Sequence, residues 1–225
     1  MSNRNLTWLA MGLALVLVIL IASVNQGPTP GKSAGIDGPL AVVEAEEKKG
    51  EDLAPYVPTP MVVVDEMLKL ADVKSTDVVY DLGCGDGRIV IRAAEKYGAK
   101  GIGVDFNPVR IREAKARARE YDVEDKVKFI LGDVMKVDFS SASVVCIYLL
   151  PSSNAKLQPI FEKQLQVGTR VVSHDFSMPE PWDEVERKRV EGDHRTHTLY
   201  MWVITPEMKE RATAREKLEP IKAPM

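Results

Sequence analysis

The stretch that most constrains this chain is Asp81-Leu82-Gly83-Cys84-Gly85-Asp86-Gly87-Arg88. It follows a short apolar run of strand character at 77–82 and opens a segment with helical spacing at 88–97. A strand that runs through a glycine turn into a helix is the opening unit of an open parallel sheet, and ligands of such sheets bind beyond the carboxyl ends of the strands. Glycines there supply positive φ and let the backbone approach a ligand closely. The spacing departs from the dinucleotide fingerprint G-x-G-x-x-G, because its third glycine would fall on Arg88. What stands instead is acidic-x-Gly-x-Gly-x-Gly. A leading carboxylate repels a pyrophosphate and favours a cationic ligand. S-adenosylmethionine has an ammonium, a sulfonium and no phosphate, and so suits the pattern better than a nicotinamide cofactor.

Segments of strand and helix character alternate around this loop. A helix opened by Pro60 is predicted over 60–71, with strands at 101–106, 126–131, 143–150 and 169–173. Helices are predicted at 108–121 and 157–165, and a final antiparallel pair at 184–190 and 197–204. The order predicts an α/β fold: a Rossmann-like, doubly wound seven-stranded sheet with a C-terminal antiparallel hairpin. One folded domain, 54–206, accounts for it, followed by a charged tail at 207–225. The chain has 225 residues, 45% hydrophobic and 28% charged, which fits one globular domain with appendages and excludes a wholly disordered chain. Two cysteines and three histidines leave no framework for disulfides or a zinc centre, and a net charge of −3 gives no field that would attract nucleic acid.

The amino-terminal region is of another kind. Residues 6–24 are 19 consecutive uncharged, mostly aliphatic residues, with Trp8 near the start. At about 1.5 Å per residue such a helix spans roughly 28 Å, close to the thickness of a bilayer core. Residues 1–24 are therefore expected to be one transmembrane anchor. A cleaved signal peptide is the competing reading, with a poor cleavage pattern at 21–24. Residues 25–53, rich in Gly, Pro and charge, read as a flexible linker.

Two further acids stand at strand ends. Asp105 lies 20 residues beyond Gly85, where an acid can accept hydrogen bonds from a ribose diol. Asp133 follows the third strand and is placed to accept from an adenine amino group, with Phe106 and Val134 to sandwich the ring. Each acid alone has a plainer reading as a helix cap. Three acids after three successive strands are harder to explain that way.

From about residue 56 to 204 the chain resembles the seven-β-strand (class I) S-adenosylmethionine-dependent methyltransferases, through DLGCGDGR and GVDFN. Pro55-Tyr56-Val57-Pro58-Thr59 and Gly168-Thr169-Arg170-Val171-Val172-Ser173-His174-Asp175-Phe176 make it most similar to the family of the ATP synthase c-subunit lysine methyltransferase and its bacterial relatives. That resemblance implies that Tyr56 and Thr59 close over the methionine end of the cofactor. It also implies that Asp81, Gly83 and Gly85 form the loop beneath it, with Asp105 at the ribose and Asp133 at the adenine. The fourth strand ends in Tyr148-Leu149-Leu150-Pro151, which departs from the Asn/Asp-Pro-Pro-Tyr motif of amino-methylating relatives.

Tyr148, Pro151, His174 and Asp175, at the ends of the fourth and fifth strands, are the acceptor-site candidates. His174 reads equally well as a hydrogen-bonded strand-end residue. His194 and His197, three apart near a turn, lack the further ligands a metal site needs, so no metal is expected. Cys84 reads as a small filler in the loop. The expected function is a membrane-anchored methyltransferase acting on a protein lysine, with a small molecule or lipid headgroup as the alternative acceptor and a non-catalytic cofactor-fold module as the weaker one. Because S-adenosylmethionine is made in the cytosol, the domain of a single-pass protein is expected to face the cytoplasm.

Overall fold

A computed structural model of the chain describes residues 56–192 and 194–218. The anchor and linker expected before residue 54 lie outside the described residues, and no described helix is long and apolar enough to cross a membrane.

Runs of Val, Ile and Leu bounded by glycine or aspartate form the parallel strands β1 (Val78–Leu82), β2 (Lys100–Asp105), β3 (Val127–Leu131), β4 (Val144–Ile147) and β5 (Arg170–His174). Two more, β6 (Glu186–Glu191) and β7 (Thr196–Val203), complete a sheet of order β3-β2-β1-β4-β5-β7-β6. β7 runs antiparallel to β5 and to β6, which gives the expected doubly wound sheet and terminal hairpin. The order reverses between β1 and β4, so the crevice at their carboxyl ends is the topological switch point.

The helices are α1 (Met61–Leu70), α2 (Arg88–Tyr97), α3 (Pro108–Glu120), α4 (Pro151–Gln164) and α5 (Pro206–Leu218). Alternation along β4 assigns the two faces. Val145 and Ile147 join Phe161 of α4 and Met208 of α5 in one cluster, while Val144 and Cys146 join Val64 and Leu68 of α1 and Ile89 of α2 in another.

Two boundaries differ from the sequence reading. The fourth strand stops at Ile147 rather than running to 150, and α4 starts at Pro151 rather than 157. Apolar Tyr148-Leu149-Leu150 continues the strand pattern, but Pro151 at the first helical position sets the helix start. The charged stretch beyond 206 forms α5, which packs on α4 with Met208 and Ala212 buried. The buried carboxylate of Glu162 on α4 holds it there. It accepts from Trp182 Nε1 at 2.8 Å and pairs with Arg215 at 2.8 Å and Arg211 at 3.3 Å.

Candidate active site

The glycine loop is tied to the second strand. The amides of Gly83 and Cys84 donate to Val104 O at 2.8 and 2.9 Å, and Gly85 N donates to Asp105 Oδ2 at 2.9 Å. Gly85 has φ +51, and a Cβ there would lie 2.5 Å from the Tyr56 ring, so only glycine fits. Cys84 is buried, and burial pushes its thiol up well above its ordinary range, which fits the filler role and not a nucleophile.

Asp81 lies beneath this loop, 3% exposed, and accepts no side-chain hydrogen bond among the described residues. Burial, with the negative charges of Asp105 and Asp86 close by, pushes its carboxyl up to about 8. Asp105 is also buried. Its oxygens accept from Gly85 N and, at 2.8 Å, from Asn107 N, and each keeps a further lone pair. Asp133 accepts from Met135 N at 2.9 Å and pairs with the exposed Lys136 at 3.1 Å, so it does cap its own turn. Register makes the three acids a staircase: Asp81 pairs with Gly103, and Asp105 with Leu131. Each acid therefore stands two residues, about 6–7 Å, further along than the last. Phe106 sits half-buried at the rim, whereas Val134 belongs to the hydrophobic core, which does not favour its expected place against a ligand ring.

The segment before α1 is strapped across the loop. Arg88 grips Asp86 through two nitrogens and donates Nη1 to Thr59 O at 2.8 Å, while Arg117 also pairs with Asp86. Tyr56 covers Gly85, and the Arg110 guanidinium stacks 3.7 Å from its ring centre. Thr59 faces the ends of β4 and β5. It is buried, and its Oγ1 shares a 3.1 Å hydrogen bond with His174 Nδ1.

The acceptor-site candidates gather at the ends of β4 and β5. Leu82 pairs with Ile147, and Ile147 with Ser173, so Tyr148 stands between Gly83 and His174. The Tyr148 ring lies 3.8 Å from the His174 ring, and its hydroxyl donates to Asp175 Oδ2 at 3.3 Å. His174 is wholly buried and so does not itself line an open surface. Burial, reinforced by His197 and Arg195 against the pull of Asp175, lowers it to about 4, so its ring is neutral. Burial works against the charge of Asp175, but hydrogen bonds from Arg195 and the Thr198 amide outweigh it and hold the carboxyl at about 2. Pro151 is exposed at the start of α4.

Two residues of this cluster escape a sequence reading. His197 Nδ1 shares a 2.8 Å hydrogen bond with His174 Nε2, and Arg195 Nη2 reaches Asp175 Oδ2 at 2.5 Å. The available signal was antiparallel pairing of the last strand with the fifth, which brings 195–198 beside 174–175.

Residues 81–186 match the family described as ANTKMT methyltransferase domain. A protein-lysine N-methyltransferase of Saccharolobus islandicus is 46% identical over 151 residues, covering 67% of this chain and 93% of that protein. The chain belongs to the ANTKMT methyltransferase family. Among other relatives, the ATP synthase c-subunit lysine N-methyltransferase of Xenopus laevis is 35% identical over 56% of this chain, which spans 54% of its length. A crystal structure named as an RNA methyltransferase from Salinibacter ruber, in complex with S-adenosyl-L-homocysteine, is 51% identical. It superposes with a TM-score of 0.62, covering 67% of this chain and 95% of that one. The protein is thus an S-adenosylmethionine-dependent methyltransferase of the ANTKMT family, and the expectation of that family and cofactor holds.

Proposed function

We propose that the protein transfers methyl groups from S-adenosylmethionine to lysine side chains of another protein. The residues fit that cofactor. Asp81 is a buried acid without a hydrogen-bonding partner among the described residues, and it stands under a glycine that tolerates no Cβ. Asp81 and the loop of Gly83 and Gly85 would hold the methionine end, Asp105 the ribose and Asp133 the adenine, with Phe106 at the rim and Tyr56 as cover. Thr59 and Val134 serve behind this surface. When bound, the cofactor supplies a methyl group already activated on sulfonium.

The chain's residues then have to position a neutral amine and exclude water. Tyr148 and Asp175 are placed to receive the incoming side chain, with Leu150 and Pro151 on the outer lip. Burial raises the Tyr148 phenol, with Asp175 adding to it, so it stays protonated and donates. No side chain in this cluster is needed as a strong base. The side chain arrives as an ammonium whose charge Asp175 favours, so it must pass its proton to solvent before it attacks, a loss that partial desolvation promotes.

The observation that carries the lysine reading is the fixed anion of Asp175 beside an aromatic ring, at the strand end flanking the glycine loop. Such a pair suits a cation, and in the structure it already holds the guanidinium of Arg195. The lysine-specific names of the relatives support it. RNA, named for the solved relative, and lipid headgroups are the competing acceptors. Incubation with radiolabelled cofactor and a membrane extract, followed by separation of protein, lipid and RNA, decides among them. Methyl-lysine in the protein hydrolysate is expected, and label confined to RNA or lipid defeats the reading.

We also propose that the uncharged span at 6–24 anchors the enzyme, with 25–53 as tether and the domain beginning near 54 on the cytoplasmic side. Nineteen residues without charge support an anchor, and the cytosolic origin of the cofactor supports the orientation.

A further inference from the structure

Asp175 sits in an unusual backbone state. Its φ is +61, in the left-handed region that aspartate enters more readily than most residues, and neighbouring hydrogen bonds hold it there. Those bonds are to the start of β7. Asp175 N donates to Thr198 O at 2.7 Å, and Asp175 Oδ1 accepts from Thr198 N at 3.0 Å. With Oδ1 committed to the sheet, Oδ2 is turned toward Tyr148.

Tyr148 and Asp175 stand one residue beyond β4 and β5, and Asp175 is held by the Thr198 backbone. Arg195 is differently placed. It belongs to the turn between β6 and β7, its side chain is 49% exposed, and its Nη2 reaches both Asp175 Oδ2 at 2.5 Å and Tyr148 OH at 3.2 Å. Its further side-chain bond, from Nη1 to Thr196 O at 3.4 Å, is long. Because β7 runs against β5, this turn falls at the carboxyl ends of the parallel strands, beside the cofactor crevice. A guanidinium that bonds both a carboxylate and a phenol occupies the ground that an ammonium would take.

Resting on the lysine-transfer reading, we propose that Tyr148 and Asp175 form the receptor for the acceptor's cationic side chain, and that Arg195 is a built-in competitor that fills it until an acceptor displaces it. The competition sets an affinity threshold that every acceptor must exceed. A free amine must displace a tethered cation at high effective concentration, whereas a lysine presented by a folded protein brings further contacts to offset the displacement. Arg195 then sets the affinity an acceptor must bring: weakly bound small amines fall below it, whereas a protein acceptor clears it through contacts made elsewhere.

The test uses the full-length protein saturated with S-adenosylhomocysteine, as wild type, Arg195→Ala, Arg195→Lys and Asp175→Asn. Binding of Nα-acetyl-lysine methylamide is measured by calorimetry on that complex, and the KM of a lysine-rich protein acceptor separately, by label transfer from S-adenosylmethionine with no S-adenosylhomocysteine added. Arg195→Ala is expected to bind the amide about tenfold more tightly and to lower the acceptor KM, with Arg195→Lys intermediate and Asp175→Asn weaker by about tenfold. Affinity for S-adenosylhomocysteine should stay within about twofold in Arg195→Ala. Amide binding that is unchanged or weakened in Arg195→Ala overturns the proposal, because Arg195 would then be inert or would hold the acceptor. Loss of S-adenosylhomocysteine affinity in that variant overturns it too, by assigning Arg195 to the cofactor. Tighter amide binding without methyl-lysine in any protein keeps the competitor and defeats only the transfer reading.

Discussion

At the scale of single residues, Asp81, the acid proposed to hold the methionine end of the cofactor, has a distinct electrostatic signature. Its carboxyl is pushed up to about 8 by burial and by two neighbouring acids. Folding therefore holds its proton more tightly than the unfolded chain does. The stability this gives is complete below the ordinary carboxylate range, near 4, and is lost as pH rises toward 8. A cationic ligand reverses the preference by favouring the ionised form. Binding of S-adenosylhomocysteine near pH 7 should accordingly release a proton, seen as a dependence of calorimetric heat on the ionisation enthalpy of the buffer. In Asp81→Asn the release should vanish and affinity fall by about 10- to 100-fold, while thermal stability above pH 7 is unchanged or higher. An unaltered affinity would remove Asp81 from the site.

At the scale of elements, what was legible followed short-range rules. The glycine loop, the period-two strands and the helix started by Asn107-Pro108 all carry local signals, and Asn107 Oδ1 does accept from Val109 N. The overrun of the fourth strand arose because Tyr148-Leu149-Leu150 is apolar whether it forms strand or loop. The histidine pair was invisible for another reason: residues 174 and 197 meet only through a strand register that no local pattern encodes. The same holds for Glu162, a charged residue on α4 that becomes wholly buried because α5 folds over it. Its loss should undock that helix. Glu162→Ala is expected to cost about 2–3 kcal/mol, at the low end for a broken buried pair because both arginines remain partly exposed. Denaturant titration followed by tryptophan fluorescence checks this, and a change under about 0.5 kcal/mol would make α5 a bystander.

At the scale of the whole molecule, the doubly wound architecture was readable because alternating strand and helix segments admit few right-handed arrangements, whereas the strand order β3-β2-β1-β4-β5-β7-β6 came from the structure. The anchor proposed at residues 6–24 is open to a direct test. Deleting them should move the enzyme from the membrane fraction to the supernatant while label transfer to a water-soluble lysine-rich protein persists, and fractionation of both forms checks this. Retention of the shortened form on membranes would assign the attachment to another surface.

The direction of β7 has a lasting consequence. A hairpin that enters the sheet backwards delivers its bend to the reaction mouth while its two arms stay hydrogen-bonded. Loops of that kind can be lengthened, shortened or recharged at little cost to the scaffold below, so the choice of client can drift through a few exposed positions while the nucleoside crevice stays unchanged.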